Sequence, residues 1–300
     1  MKAAVYYQNG GPEVLRYEEL PDPVCPPDRL LVRLRAISIE GGDTVNRAIG
    51  PLTARPHVVG YQAAGEIIEV GSAVQGFSVG QLVTTTGANG SHAELRLVHP
   101  ATAWVIPDGL DLRLAAAVPI PFGTADNCLF EYGQLQQGQT VLIQSGASAV
   151  GLAAIQIAKR AGARVIATAS SSERLERIAR FGVDFGIDSS RQDVAAEVMR
   201  ITEGKGVSVA LDGNGGASLQ ASVRSLGWKG RVTLIGFSER TGAKVDVGSL
   251  IPGNRSLIGV ALACTTSGIT ANIAARVVEP GRRTLAFGIV SAAGSVGTMV

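Results

Sequence analysis

The sequence predicts an α/β fold in two parts: a β-rich segment up to about residue 120, then a doubly wound parallel sheet. Two observations carry this. Before Asp111, short apolar or alternating runs are punctuated by Gly-Gly, Pro-x-Pro and Gly-Ser turns, the pattern of a small barrel or sandwich. From Thr140 onward, apolar strands alternate with helices of about ten to fifteen residues, the pattern of βαβ units. In the first part, strands are read at Ala3–Tyr7, Val14–Glu19, Leu30–Ile37, Ala64–Val70, Gln81–Thr85 and His92–Leu97. Asp111 then serves as the N-cap of a helix over Leu112–Val118. In the second part, strand Val141–Gln144 leads to helix Val150–Ala161, Val165–Thr168 to Ser172–Phe181, and Asp184–Ile187 to Asp193–Thr202. Val207–Asp212 leads to Ala217–Leu226, and Arg231–Ile235 and Ser256–Leu262 complete six strands. No linker separates the two parts, so they are expected to pack directly.

Composition narrows the classes. The 300 residues are 46% apolar and 17% charged, enough for a substantial core. Lys plus Arg number 27 against 25 Asp plus Glu, so nothing resembles the basic excess of a nucleic-acid binder, and no nucleic-acid partner is expected. Cys25, Cys128 and Cys264 form neither a disulfide framework nor metal-ligand spacing, which points to a reduced, cytoplasmic setting. The N-terminus shows no apolar h-region, so no signal peptide is expected. The segment Thr284–Val300 carries no charge, but its glycines and hydroxyls favour a buried or interfacial helix over a membrane span. Glycine, at 38 residues, is well above its usual share of about 7% and signals tight turns and close backbone approach.

One such approach lies after the first strand of the alternation. Val141 to Gly151 reads strand, small-residue turn, helix start, with Gly146-x-Ser148-x-x-Gly151 as an imperfect dinucleotide fingerprint. This geometry sets backbone N–H groups and a helix N-terminus against a pyrophosphate. The next strand discriminates between cofactors. A site that prefers NAD carries an acid near this strand's end, whereas here Ala169 is followed by Ser170, Ser171, Ser172 and Arg174. Hydroxyls and a guanidinium donate to a 2′-phosphate that a carboxylate repels, so NADPH is the expected cofactor.

With these residues the chain resembles the medium-chain dehydrogenase/reductase superfamily, in its zinc-independent quinone oxidoreductase branch. The resemblance is carried by Gly60 to Gly71, Gly76 to Val83, Ala115 to Pro119, Gly123 to Ala125, Val141 to Lys159 and Gly230 to Phe237, in that order. It implies a GroES-like catalytic domain over residues 1–118, a Rossmann domain over 119–263, an active site in the cleft between them, and an atypical tail over 264–300. It implies hydride transfer from NADPH to a quinone or an α,β-unsaturated carbonyl. It further implies a homodimer joined at the edge strand Ser256–Leu262. Two other readings stay open: an enoyl-thioester reductase of the same superfamily, and a catalytically weak NADPH-binding protein whose altered terminus is a contact. The tail matches none of the family's return segment, and Arg282 to Gly297 resembles a stretch of a major facilitator transporter.

By this resemblance Thr124 lies beside the nicotinamide, Ser148, Ala149 and Val150 line the pyrophosphate, and Phe237 and Ser238 flank the ring. Asn214 is a further cofactor candidate, although Asn between glycines is also ordinary turn chemistry. Zinc-dependent relatives place a cysteine near position 40 and a His-Glu pair at 61–62, where this chain has Glu40 and Tyr61-Gln62. No metal is expected, since a catalytic zinc needs about three converging His, Cys or carboxylate ligands. Tyr61 is then the candidate proton donor, and Asp43 a catalytic candidate or a structural hydrogen-bonding acid. Glu40 replaces an asparagine common in the branch. His57, His92 and His99 read as surface or core residues, and Cys128 as a small buried hydrophobe.

Overall fold

The computed structural model describes residues 1–239 and 244–261, so the expectations for the tail, for Leu262 and for Cys264 lie outside the described residues. It divides into two compact units, Met1–Ile120 and a second that begins at Pro121.

The first unit contains β1 (Lys2–Tyr6), β2 (Arg16–Glu19), β3 (Leu30–Ser38), α1 (Gly41–Ile49), β4 (His57–Val58) and β5 (Gln62–Val70), followed by β6 (Leu82–Thr86), β7 (Leu95–Val98), β8 (Ala103–Val105) and α2 (Leu112–Ala116). A five-stranded antiparallel sheet runs β7-β3-β5-β6-β8, and a three-stranded one runs β2-β1-β4. Alternation along β3 and β5 turns Leu30, Val32 and Ile67 onto one face, where they pack with Val83, Val98 and Ala103. Gly65 is required where β5 crosses β3, because a Cβ there would lie 2.1 Å from the Arg33 carbonyl oxygen. Helix α2 covers the sheet through Ala115 and Ala116 on Ala64 and Ile106, and Thr84 Oγ1 donates to the Ala115 carbonyl at 2.7 Å.

The second unit receives α3 (Pro119–Asp126), which begins in the first and continues as a π-helical stretch over Asn127–Glu131. It then alternates β9 (Thr140–Ile143), α4 (Ala149–Arg160), β10 (Arg164–Ala169), α5 (Ser172–Ala179), β11 (Phe185–Asp188) and α6 (Val194–Ile201). After these come β12 (Val207–Asp212), α7 (Gly216–Arg224), β13 (Leu226–Leu234) and β14 (Ser256–Gly259). The six strands are parallel in the order β11-β10-β9-β12-β13-β14, so the order reverses between β9 and β12. Val141, Leu142 and Ile143 on β9 are all fully buried, as a central parallel strand covered on both faces requires. The chain's two tryptophans fall one to each unit: Trp104 half-buried on β8, Trp228 on β13 and 67% exposed.

The expected strands and helices of the second unit are present with moved boundaries: α5 stops at Ala179, α7 stops at Arg224 with Leu226 already opening β13, and β14 ends at Gly259, short of the expected Leu262. The first unit departs more. Pro12–Val14 is a 3₁₀ turn and β2 starts only at Arg16, because Pro12 opens a turn and not a strand. His92 sits in a loop ahead of β7, and the short strands β4 and β8 were not anticipated. Helix α1 was also missed, since Gly41-Gly42 carries the weakest helix propensity short of proline. Asp43 supplies what the glycines lack by accepting from the Glu40 N–H at 2.8 Å across the first turn.

Candidate nucleotide-binding edge and polar cluster

The carboxyl edge of the six-stranded sheet holds most of the residues singled out in sequence. After β9 the chain enters a turn in which Ser145 adopts a left-handed φ of +52°. Its N–H donates to Thr168 Oγ1 at 3.0 Å and its carbonyl accepts the Ser148 N–H at 2.9 Å. Ser148 is the N-cap of α4, its hydroxyl accepting from Gly151 N at 3.0 Å. This explains a serine at the middle position of the fingerprint. Gly151 is required by the backbone it meets, and Gly146 packs tightly against side chains. A Cβ on Gly151 would lie 2.4 Å from the Ser145 carbonyl oxygen, and one on Gly146 would lie 2.9 Å from Ile178 Cδ1. The helix is therefore seated directly on its turn, and the N–H groups of Ala149 and Val150 begin α4 without intrahelical partners.

At the next crossover, β10 ends on Ala169 and Ser171 becomes the N-cap of α5, accepting from Arg174 N at 3.3 Å. The Arg174 guanidinium donates to Ser170 Oγ at 2.9 Å and pairs with no carboxylate among the described residues. One acid does come near, from β11. Asp188 accepts from Ser172 Oγ at 3.1 Å and from the Ser190 hydroxyl at 2.6 Å, and the Ser190 hydroxyl is the chief reason its pKa falls. Sequence spacing alone does not reveal this acid, because it arrives from the neighbouring strand. Further along the edge, Asn214 Oδ1 accepts from the hydroxyls of Ser145 at 3.0 Å and Ser238 at 2.8 Å. Phe237 is 56% exposed, so it is not a core phenylalanine. Its ring crosses Gly215, whose added Cβ would lie 2.7 Å from Phe237 Cδ1. Thr124 is buried within α3. The structure thus brings Ser148, Ala149, Val150, Asn214, Phe237 and Ser238 to one sheet edge with Ser170, Ser171 and Arg174 at the adjoining crossover.

In the first unit, α1 and the start of β5 gather a second polar cluster. Glu40 Oε1 accepts from Ser38 Oγ at 2.8 Å and from the Gln62 amide, and Gln62 Oε1 accepts from Ile120 N at 2.8 Å. Asn46 Nδ2 donates to the Tyr61 phenol oxygen at 2.9 Å. Arg96 donates to the Tyr61 carbonyl at 3.1 Å and to the Asn89 carbonyl at 2.6 Å. His92 Nε2 lies 3.7 Å from Asp43 Oδ2, beyond hydrogen-bond range. Asp43 is 3% exposed, and burial pushes its carboxyl up to about 6, against the pull of the Glu40 backbone. Burial, with Arg96 adding, lowers His92 to about 4. Neither Asn46, Arg96 nor Gln62 could be assigned a partner from sequence, because each finds it on an element distant along the chain. His57 packs against Tyr6 with the rings tilted and their centroids 5.0 Å apart, His99 Nδ1 accepts from Ala101 N at 3.1 Å, and Cys128 is buried with its thiol pushed up to about 12 by that burial.

Comparison with known proteins fits this arrangement. A family model for an alcohol dehydrogenase GroES-like domain matches residues 26–108, and one for a zinc-binding dehydrogenase matches residues 149–293. A quinone oxidoreductase of Pseudomonas aeruginosa is 34% identical over 243 residues, 80% of this chain and 75% of that protein. The chain belongs to the quinone oxidoreductase branch of the medium-chain dehydrogenase/reductase superfamily. A mycobacterial protein solved in complex with NADPH is similar at 30% identity with a TM-score of 0.85, covering 99% of this chain and 91% of that one. A phenolphthiocerol/phthiocerol polyketide synthase subunit of Mycobacterium tuberculosis is 34% identical over 212 residues, 70% of this chain but 10% of that protein.

For a member of this branch the donor set of the polar cluster does not fit zinc. Tyr61 and Gln62 offer neither imidazole nor thiolate, Glu40 is engaged by Ser38 and Gln62, and Asp43 by the α1 backbone. Among the described residues no three His, Cys, Asp or Glu side chains converge on one point.

The buried Asp43 and His92 oppose one another in pH dependence. Asp43 is raised from 3.8 to about 6, so its stabilisation is full below the lower value and lost as pH rises through the higher. His92 is lowered from 6.5 to about 4, so its share is present above the higher value and lost as pH falls through the lower. In the Asp43→Asn variant only the histidine remains. Relative to wild type, this variant is expected to gain about 2–3 kcal/mol between about pH 4 and 7, read from urea unfolding. A pH-independent offset between the two proteins would remove Asp43 as a titrating group.

Proposed function

We propose that this chain is an NADPH-dependent reductase that delivers hydride to a quinone or an α,β-unsaturated carbonyl without a metal. One observation carries the cofactor reading. The strand β10 ends on Ala169 with no acid, and the Arg174 guanidinium stands against the Ser170 hydroxyl at 2.9 Å. An acid at that tip accepts from ribose hydroxyls, whereas hydroxyls beside a guanidinium suit a 2′-phosphate. The turn before α4 fits the rest of such a dinucleotide. Glycines at 146 and 151 let helix α4 sit close on its turn, and the Ala149 and Val150 N–H groups lie at the positive end of the helix. The similar mycobacterial protein solved with NADPH adds support.

Bound there, NADPH supplies the hydride from its reduced ring. Within this reading Ser148, Ala149 and Val150 hold the pyrophosphate, Ser170, Ser171 and Arg174 hold the 2′-phosphate, and Thr124, Asn214, Phe237 and Ser238 border the ring. Tyr61 Oη holds the proton that the substrate takes up as hydride arrives. The Asn46 amide, 2.9 Å from that oxygen, stabilises the negative charge left behind. Asp43 keeps α1 wound and so holds Asn46 in place. Quinones and enones are electrophilic enough to accept hydride under hydrogen-bond polarisation alone, which suits a site lacking a zinc donor set. The similarity to a polyketide synthase subunit favours a second reading in which the acceptor is an enoyl thioester.

Stopped-flow oxidation of NADPH with a quinone, an enone and a crotonyl thioester is expected to show turnover of the first two. Preference for the thioester selects the second reading, and NADPH binding with no turnover of any acceptor rejects both. Arg174→Ala is expected to weaken NADPH by about tenfold while NADH is unchanged; equal losses would remove the 2′-phosphate role. Tyr61→Phe is expected to lower kcat about 100-fold, and full turnover would remove Tyr61 as proton donor. Strand β14 ends the sheet order among the described residues, so we also propose a homodimer formed by pairing at this edge. Light scattering at the mass of one chain would reject it.

A further inference from the structure

Beneath the nucleotide turn lies a buried acid that none of these steps uses. Asp212 closes β12, is fully buried, and has no cationic partner among the described residues. Its Oδ1 accepts from the backbone N–H groups of Asn214 and Gly215, both at 2.9 Å. Its Oδ2 accepts from the hydroxyls of Ser218 at 2.9 Å and Ser222 at 2.8 Å. From these contacts a closed ring of hydrogen bonds runs under the edge. Ser222 Oγ accepts from Gln144 Nε2 at 3.1 Å, and Gln144 Oε1 accepts from Thr168 Oγ1 at 2.9 Å. Thr168 Oγ1 accepts the Ser145 N–H at 3.0 Å, and the Ser145 hydroxyl returns to Asn214 Oδ1 at 3.0 Å. The ring ties the ends of β9, β10 and β12 to one another and to α7.

Asp212 is the one charged member, and a carboxylate accepts only. Its charge therefore sets the direction of the side-chain bonds that lead from it, in the same sense as the Gln144 amide donating to the Ser218 carbonyl at 3.5 Å. Ser222 must donate to it and can only accept from Gln144, which turns the Gln144 carbonyl to Thr168. The Thr168 proton is then spent on Gln144, leaving its lone pair for the Ser145 N–H. On the other side Ser218 must donate to Asp212, so it accepts from Asn214 Nδ2 at 3.3 Å, and Asn214 Oδ1 is left facing Ser145 and Ser238. We propose that Asp212 is a positioning residue for the dinucleotide: by fixing the polarity of this ring it holds Ser145 in its left-handed turn and so presents the α4 N-terminus already formed. The proposal rests on the reading of this edge as the NADPH site.

Asp212→Asn keeps the size of the side chain but puts a donor where Ser218 and Ser222 now donate. It is expected to weaken NADPH, by fluorescence titration, and to raise its KM, each about tenfold, while kcat at saturating NADPH stays close to wild type. Adding Gln144→Glu moves the acceptor-only group across Ser222 and is expected to restore affinity to within about threefold, although Gln144→Glu alone, facing Asp212, binds worse than wild type. Unchanged NADPH affinity in a folded Asp212→Asn protein overturns the proposal, as does a double variant no better than Asp212→Asn alone. If Asp212→Asn does not fold, Ser218→Ala, which frees the Asn214 amide, is expected to weaken NADPH about threefold, and equal binding overturns the proposal. A wild-type protein that binds no NADPH overturns the functional reading first and this inference with it; binding by wild type with no response in the variants overturns this inference alone.

Discussion

The seating of helix α4 on the turn before it is the constraint on which the nucleotide half depends. A backbone carbonyl stands where a Cβ on Gly151 would lie, so any other residue there must push the helix off its turn. Because the helix stays, its first N–H groups emerge at the end of β9, where the strand order reverses. Reversal of order opens a crevice at the carboxyl ends of parallel strands, and helix N-termini carry partial positive charge toward it. The fold and the electrostatics thus favour the same location for an anionic ligand.

The two units treat buried charge differently. Asp212 has four donors and a place in a closed ring, whereas Asp43 has backbone support on one side and a neutral imidazole out of bonding range on the other. The first arrangement fixes direction; the second leaves a carboxyl poised to take up a proton. Arg96 pulls the Asp43 carboxyl down, but by less than burial pushes it up. Arg96 is close enough to depress His92, yet its guanidinium is turned to carbonyl oxygens.

Legibility in the sequence follows the range of the interactions. The six parallel strands were readable because each is a run of apolar residues followed by a helical repeat, both local signals. The nucleotide turn was readable because glycine and N-cap requirements act within a few residues, as Ser148 with Gly151 shows. Helix α1 was not, because its winding depends on one side-chain bond from Asp43 that offsets two glycines. Nor were Asp188 beside Ser172 or the ring through Asp212, whose members come from elements dozens of residues apart. Period and spacing report neighbours along the chain; a carboxylate's partners across a sheet edge leave no such mark.

The two tryptophans, Trp104 half-buried in the first unit and Trp228 open to solvent in the second, make the protein its own pair of optical labels. Exposure of the shielded Trp104 moves its emission to longer wavelength, whereas Trp228 is already open to solvent and changes little when its unit unfolds. A red shift of the intrinsic emission during denaturation thus marks loss of the first unit, without any added dye.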